Sequence, residues 1–133
     1  MHRIATEAGK LDLERKLESI RQSPAEIVFV SSADTELAAL ARIWGPKFGT
    51  RLRLMNASSL QHPEAAEHYA NHVLVHAKIA IFRLHGGKAY FPKLLDELIH
   101  IKSHGASVRT LVLAGTDEWD PELATYNDYS EPI

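Results

Sequence analysis

Apolar residues along this chain gather in four short, almost unbroken runs, at residues 27–30, 52–55, 79–84 and 108–113. Each is rich in Val, Ile, Leu or Phe and ends at polar or glycine positions. Runs of that length suit strands covered on both faces, as in a parallel sheet. Between them the apolar positions recur with helical spacing. Residues 34–44 place Leu37, Leu40, Ala41 and Trp44 on one stripe, with a stop at Gly45-Pro46. Residues 64–77 follow Pro63 and align Tyr69, Val73 and Ala77; residues 92–104 align Leu95, Leu98, Ile99 and Lys102 and stop at Gly105. Pro92 falls at a favoured first-turn position and Gly105 where a left-handed cap belongs.

Strand and helix patterns alternating in this way predict a three-layer, doubly wound α/β fold with a mainly parallel sheet of four to five strands, flavodoxin-like in its winding. Residues 1–5 suit an edge strand. Residues 11–21 carry Leu13, Leu17 and Ile20 at helical spacing and suit a helix. A chain of 133 residues is one domain's worth, without internal repeats or a dividing linker. We divide it into an amino-terminal strand and helix (1–25), a βα core (26–116) and an acidic carboxyl-terminal segment (117–133).

Composition narrows the chemistry. The absence of cysteine excludes disulfides, thiolate metal sites and a cysteine nucleophile. A net charge of −2 argues against nucleic acid as a partner. No run is long enough to span a membrane, and the first ten residues lack the apolar core of a signal peptide, so a cytoplasmic domain is expected. The charge is uneven. Residues 110–133 hold six acidic side chains and no Lys or Arg, leaving the first 109 residues at +4. A solvated tail is the favoured reading of that segment; Trp119, Tyr126 and Tyr129 would anchor it if it packs on a partner instead.

In an open parallel sheet, ligands bind at the carboxyl ends of the strands, where strand order reverses. Two segments would meet there. The first, Ser31 to Glu36, contains Ser31, Asp34 and Thr35 as candidate ligand contacts. Ser31 and Asp34 also have the spacing of a capping box, and capping alone explains these residue types. Asp34 and Glu36 in one helical turn would repel a phosphate, which makes this a poor site for a flavin mononucleotide. The second segment, Arg83 to Pro92, contains Gly86-Gly87 followed by Lys88 and Tyr90. The glycines suit a turn with positive φ, and the run lacks the spacing of a P-loop. Arg83 and Lys88 offer charge to an anionic ligand, Tyr90 a flat face, and Gly86 and Gly87 close approach.

The histidines form two rows: His68, His72 and His76 at steps of four, and His100 with His104. Imidazoles one helical turn apart can share a divalent metal. Spacing alone is weak evidence, so exposed polar histidines are the favoured reading and a small metal-binding protein the rival one. No Gly-x-Ser-x-Gly elbow marks a serine hydrolase.

The run Ile27-Val28-Phe29-Val30-Ser31-Ser32-Ala33-Asp34-Thr35-Glu36-Leu37 resembles the opening of the large subunit of cobaltochelatase, the CobN type. Leu52-Arg53-Leu54-Met55-Asn56, Ser59-Leu60-Gln61-His62-Pro63, His76-Ala77-Lys78 and Asp120-Pro121-Glu122-Leu123-Ala124 follow in collinear order. Arg83-Leu84-His85-Gly86-Gly87-Lys88-Ala89-Tyr90-Phe91-Pro92 is similar to the family's Leu-Gly-Gly-Arg-Ala-Tyr-Trp-Pro run, although Lys93-Leu94 stands where Tyr-Gly is common. Met1-His2 matches the usual start of these subunits, which implies that the natural amino terminus is present. The resemblance spans the whole chain but only the amino-terminal portion of a far longer subunit, related to the large subunit of magnesium chelatase.

It implies a role in inserting Co²⁺ into a tetrapyrrole, hydrogenobyrinic acid a,c-diamide, during cobalamin synthesis. ATP would be hydrolysed on AAA+ partner subunits, and this chain would hold no cofactor. The expected function is tetrapyrrole recognition or subunit assembly, without catalysis by this chain alone. A protein–protein interaction module is the alternative, and the remainder of a large subunit is the expected partner.

Overall fold

The structure, a computed structural model, describes residues 22–116 and 119–128. The strand expected at residues 1–5 and the helix at 11–21 lie outside them. Strands β1 (Ile27–Ser31), β2 (Leu52–Asn56), β3 (Ile79–Leu84) and β4 (Arg109–Ala114) form an all-parallel sheet in the order β2-β1-β3-β4. Helices α1 (Asp34–Phe48), α2 (Pro63–His72), α3 (Pro92–Ser103) and α4 (Pro121–Ala124) complete a doubly wound α/β fold. The order reverses between β2 and β3, on either side of β1.

Alternation along each strand divides the sheet into two unlike faces. Val28, Val30, Met55, Ala80, Phe82, Leu84 and Val112 point into one core, with Tyr69, Ala66 and Leu74 from the α2 region, Leu94, Leu95, Leu98 and Ile101 from α3, and Leu123 from α4. The other face carries Phe29, whose ring meets Trp44 of α1 edge-on at 6.1 Å; Trp44 in turn meets Phe48 at 6.0 Å. No residue of α1 is fully buried, whereas α2 buries four and α3 five.

Several local expectations change. Helix α1 runs through Gly45 and Pro46 instead of stopping there. Pro46 sits in the last turn, where the helix forgoes the single bond its N–H would make to the Arg42 carbonyl, and Gly49 at φ 54° makes the stop. Helix α2 ends at His72 and passes into a 3₁₀ turn, Leu74–His76. That tighter turn brings the adjacent Val73 and Leu74 both into the core. On α3, Leu94 and Ile101 are buried in place of Ile99, which is 53% exposed. Gly105 caps α3 as expected: at φ 100° it donates to Lys102 O (3.2 Å), and Ala106 donates to Ile101 O (3.0 Å), a Schellman pair.

The described part of the acidic segment is not a solvated tail. Asp120 caps α4 through Glu122 N (3.0 Å) and Leu123 N (3.1 Å), and Leu123 is wholly buried. Asp128 then clips the outer edge of β4. Its carboxylate accepts from Thr110 N (2.7 Å) and pairs with Lys102, while its own N–H donates to Thr110 O (3.0 Å). Asn127 Oδ1 accepts from Val112 N. These side chains satisfy β4 backbone donors that would otherwise invite edge pairing.

Candidate functional site

The carboxyl edge of the sheet brings the expected segments together. Ser31 closes β1 in register with Asn56 of β2 and Arg83 of β3, so three polar side chains stand in a row on the α1 face. Ser31 is fully buried. Its hydroxyl accepts from Ala33 N (3.1 Å) and donates to Glu36 Oε1 (2.8 Å), while the other Glu36 oxygen pairs with Arg83. Serine, carboxylate and guanidinium thus form a closed chain of charge-assisted bonds.

The capping box is not formed. The strand keeps Ser31 extended and the helix begins only at Asp34, with Ala33 at the N-cap and no side-chain cap. Asp34 instead accepts from Asn56 Nδ2 (2.6 Å), and Asn56 Oδ1 accepts from Ser58 N (2.8 Å). Thr35 is exposed on the first turn.

The loop after β3 folds back on the domain. Ser32 N donates to Arg83 O (3.2 Å), and His85 N donates to Ser32 Oγ (3.2 Å). Gly86 (φ 88°) lies under the Tyr90 ring: a Cβ there would come within 2.2 Å of Tyr90 Cδ2. Gly87 (φ 70°) faces Asp120, whose Oδ2 would be 3.2 Å from an added Cβ. Interaction with the nearby Tyr126 side chain holds the Lys88 pKa above the ordinary lysine value. Tyr90 itself is 61% exposed, and its carbonyl accepts from Gln61 Nε2 (3.4 Å) beside an open hollow of about 590 Å³ lined by Ser58, Ser59, Gln61, His62 and Pro63.

All eight candidate contacts therefore lie along one edge: Ser31, Asp34 and Thr35 after β1, and Arg83, Gly86, Gly87, Lys88 and Tyr90 at the end of β3 and beyond. The side chains of Ser31, Asp34 and Arg83 are spent on Glu36 and Asn56. Sequence reading did not single out these two partners as site residues. Glu36 left one signal, as an acidic residue of the first turn of α1 beside Asp34.

The histidine row is broken. His68 and His72 stack on α2 with ring centroids 4.0 Å apart, and His72 Nδ1 donates to His68 O (2.8 Å). His76 lies beyond the helix end in the 3₁₀ turn. His100 and His104 pair similarly at 4.2 Å. Among the described residues, no group of three or more His, Asp or Glu is placed to hold a metal ion. None of the described helices is long and apolar enough to cross a membrane.

Fold and edge define a doubly wound α/β domain whose strand ends are joined by internal polar bonds and whose carboxyl-terminal segment is folded onto β4. The chain is homologous to part of the CobN-type cobaltochelatase subunit. It is 34% identical over 132 residues to the aerobic cobaltochelatase subunit CobN of Sinorhizobium sp, and 32% identical over 126 residues to the Pseudomonas aeruginosa subunit of that name. Those matches take in 96% and 93% of this chain but about a tenth of each relative's length. No family model and no solved structure matches the chain.

Proposed function

We propose that this chain serves a CobN-type cobaltochelatase as a non-catalytic assembly domain in the cytoplasm, packing against the rest of the large subunit. In that setting it would support ATP-dependent insertion of Co²⁺ into a tetrapyrrole by machinery that includes AAA+ partner subunits. The observation that carries this reading is the state of the carboxyl edge. Arg83 is paired with Glu36 and Asp34 with Asn56, so charged groups a reaction would need are engaged in holding loops together. Binding to the Pseudomonas aeruginosa CobN subunit, deleted of the segment that matches this chain, tests the reading by interferometry. Saturable binding supports it; no binding at high micromolar concentration refutes it.

A second reading is favoured by Tyr90, whose exposed ring stands beside the hollow at Gln61. In it, the carboxyl edge contacts the tetrapyrrole: Tyr90 takes the ring edge, Lys88 and Arg83 exchange their partners for ligand carboxylates, Gly86 and Gly87 permit close approach, and Ser31, Asp34 and Thr35 shape the facing wall. Optical titration with a carboxylated porphyrin or a corrinoid precursor is the direct test. An unchanged absorption spectrum at high micromolar ligand would sink it. The histidine pairs are the basis of the remaining alternative, metal binding, which calorimetry with Co²⁺ tests.

A further inference from the structure

We infer that the β3–β4 half of the sheet, on the α1 side, is a docking face for one amphipathic helix supplied by the remainder of a CobN-type subunit; this rests on the assembly reading above. Strand alternation and register put Ile79, Ile81, Leu111 and Leu113 on that face. All four are only partly buried, and Leu113 is 37% exposed. Helix α1 lies over β2 and β1, as the Phe29–Trp44 contact shows, and α2, α3 and α4 belong to the opposite core. Among the described residues, no helix packs along these four side chains. Parallel sheets are stable when both faces are covered, and the face opposite is.

The dimensions fit a single helix. Two neighbouring strands present a strip about 10 Å wide, the diameter of one helix with its side chains. Six-residue strands run about 20 Å, which matches roughly thirteen helical residues. At the carboxyl end the strip opens into a groove of about 350 Å³ between Arg83, Leu113, Thr116 and Trp119, and Trp119 is 58% exposed. That groove suits one bulky apolar anchor. At the opposite end Arg109 is exposed and favours an acidic neighbour on the incoming helix.

The occupant follows from where the chain is tied. Gln22, which leads into β1, is fixed at the far edge of the sheet: it donates to Leu54 O on β2 (3.0 Å) and accepts from Tyr69 OH (2.9 Å). Gln22 thus leads into β1 from the sheet edge opposite β4. The CobN relatives, by contrast, carry about nine-tenths of their length outside the region matched by this chain.

The test measures affinity of the full 133-residue chain for the Pseudomonas aeruginosa CobN subunit deleted of its matching segment, with circular dichroism as a check on folding. Leu113→Lys should weaken binding at least tenfold. Arg109→Glu, at an exposed site that does not threaten the fold, should weaken it several-fold at low salt and less at high salt. Ile99→Lys, on the other layer, should stay within twofold. Unchanged affinity for both Leu113→Lys and Arg109→Glu overturns the docking face while leaving the assembly reading intact. No binding by the unsubstituted chain removes both. Self-association abolished by Leu113→Lys would identify a second copy as the occupant. Increased deuterium uptake at residues 109–114 after deletion of residues 1–21 would identify the chain's own amino-terminal segment. Either result overturns the inference.

Discussion

Replacing Gly86 by alanine separates the two reasons for glycine after β3. The residue sits at φ 88°, and an added Cβ would lie 2.2 and 2.6 Å from Tyr90 Cδ2 and Cε2. Left-handed backbone at a non-glycine residue costs about 1–2 kcal/mol. The Tyr90 ring must also move, and because it is 61% exposed it can swing outward, at about 0.5–1.5 kcal/mol for lost contact and a poorer rotamer. Against these, alanine lowers the entropy of the unfolded chain by about 0.4–1 kcal/mol. The net loss should be about 0.5–3 kcal/mol. In a Tyr90→Ala background the ring term vanishes and the loss should shrink by about 0.5–1.5 kcal/mol, a coupling that a double-mutant cycle resolves. Urea unfolding with constant slope measures both arms. Equal losses in the two backgrounds would refute the idea that Gly86 is there to admit the ring, and would leave φ as its sole requirement.

Leu123→Ala should cost about 2–5 kcal/mol in the same assay, because Leu123 is wholly buried, although it lies in the acidic segment; a neutral result would mean that this segment does not pack. The Arg51 guanidinium, by hydrogen bond and charge, holds the Glu26 carboxyl below its ordinary value. Burial pushes Asp128 up, but hydrogen bonds from Lys102 and Thr110 outweigh it and leave that carboxyl depressed. With folded values below unfolded ones, both contributions are fully present above about pH 5 and drain away as pH falls through the folded values. Unfolding midpoints should therefore fall on acidification, and less steeply in Asp128→Asn. Glu36→Gln releases Arg83 from its ion pair; if the carboxyl edge contacts tetrapyrrole carboxylates, porphyrin affinity in optical titration should rise, and a fall or no change counts against that contact.

The strands were legible because a parallel sheet demands continuous apolar runs, and β3 matches its run residue for residue. Helix ends were legible where backbone chemistry is decisive, at Pro92 and Gly105. They were misread where tertiary packing overrides it. Gly45-Pro46 reads as a stop, yet α1 continues to Phe48 at the loss of one helical bond, that of the absent Pro46 N–H. The histidine row fails for a related reason: a uniform step of four assumes one unbroken helix, while the core draws Val73 and Leu74 inward together and ends α2 before His76.

The candidate edge was legible in outline because strand order alone brings the end of β1 beside the end of β3. Its internal pairing was not, since a lone arginine or lysine in a loop looks available until the fold supplies its partner. Arg83 gains Glu36 because register sets residue 83 next to Ser31, and α1 starts late enough to turn Glu36 back over both. Tyr126 comes beside Lys88 only because Leu123 and Asp128 tie the acidic segment down on β4. The charge asymmetry is thereby explained from within: part of the acidic end serves the domain's own edge. What stays unsatisfied among the described residues is apolar, the strip from Ile79 to Leu113, and an apolar deficit on a parallel sheet calls for more polypeptide before it calls for a small ligand.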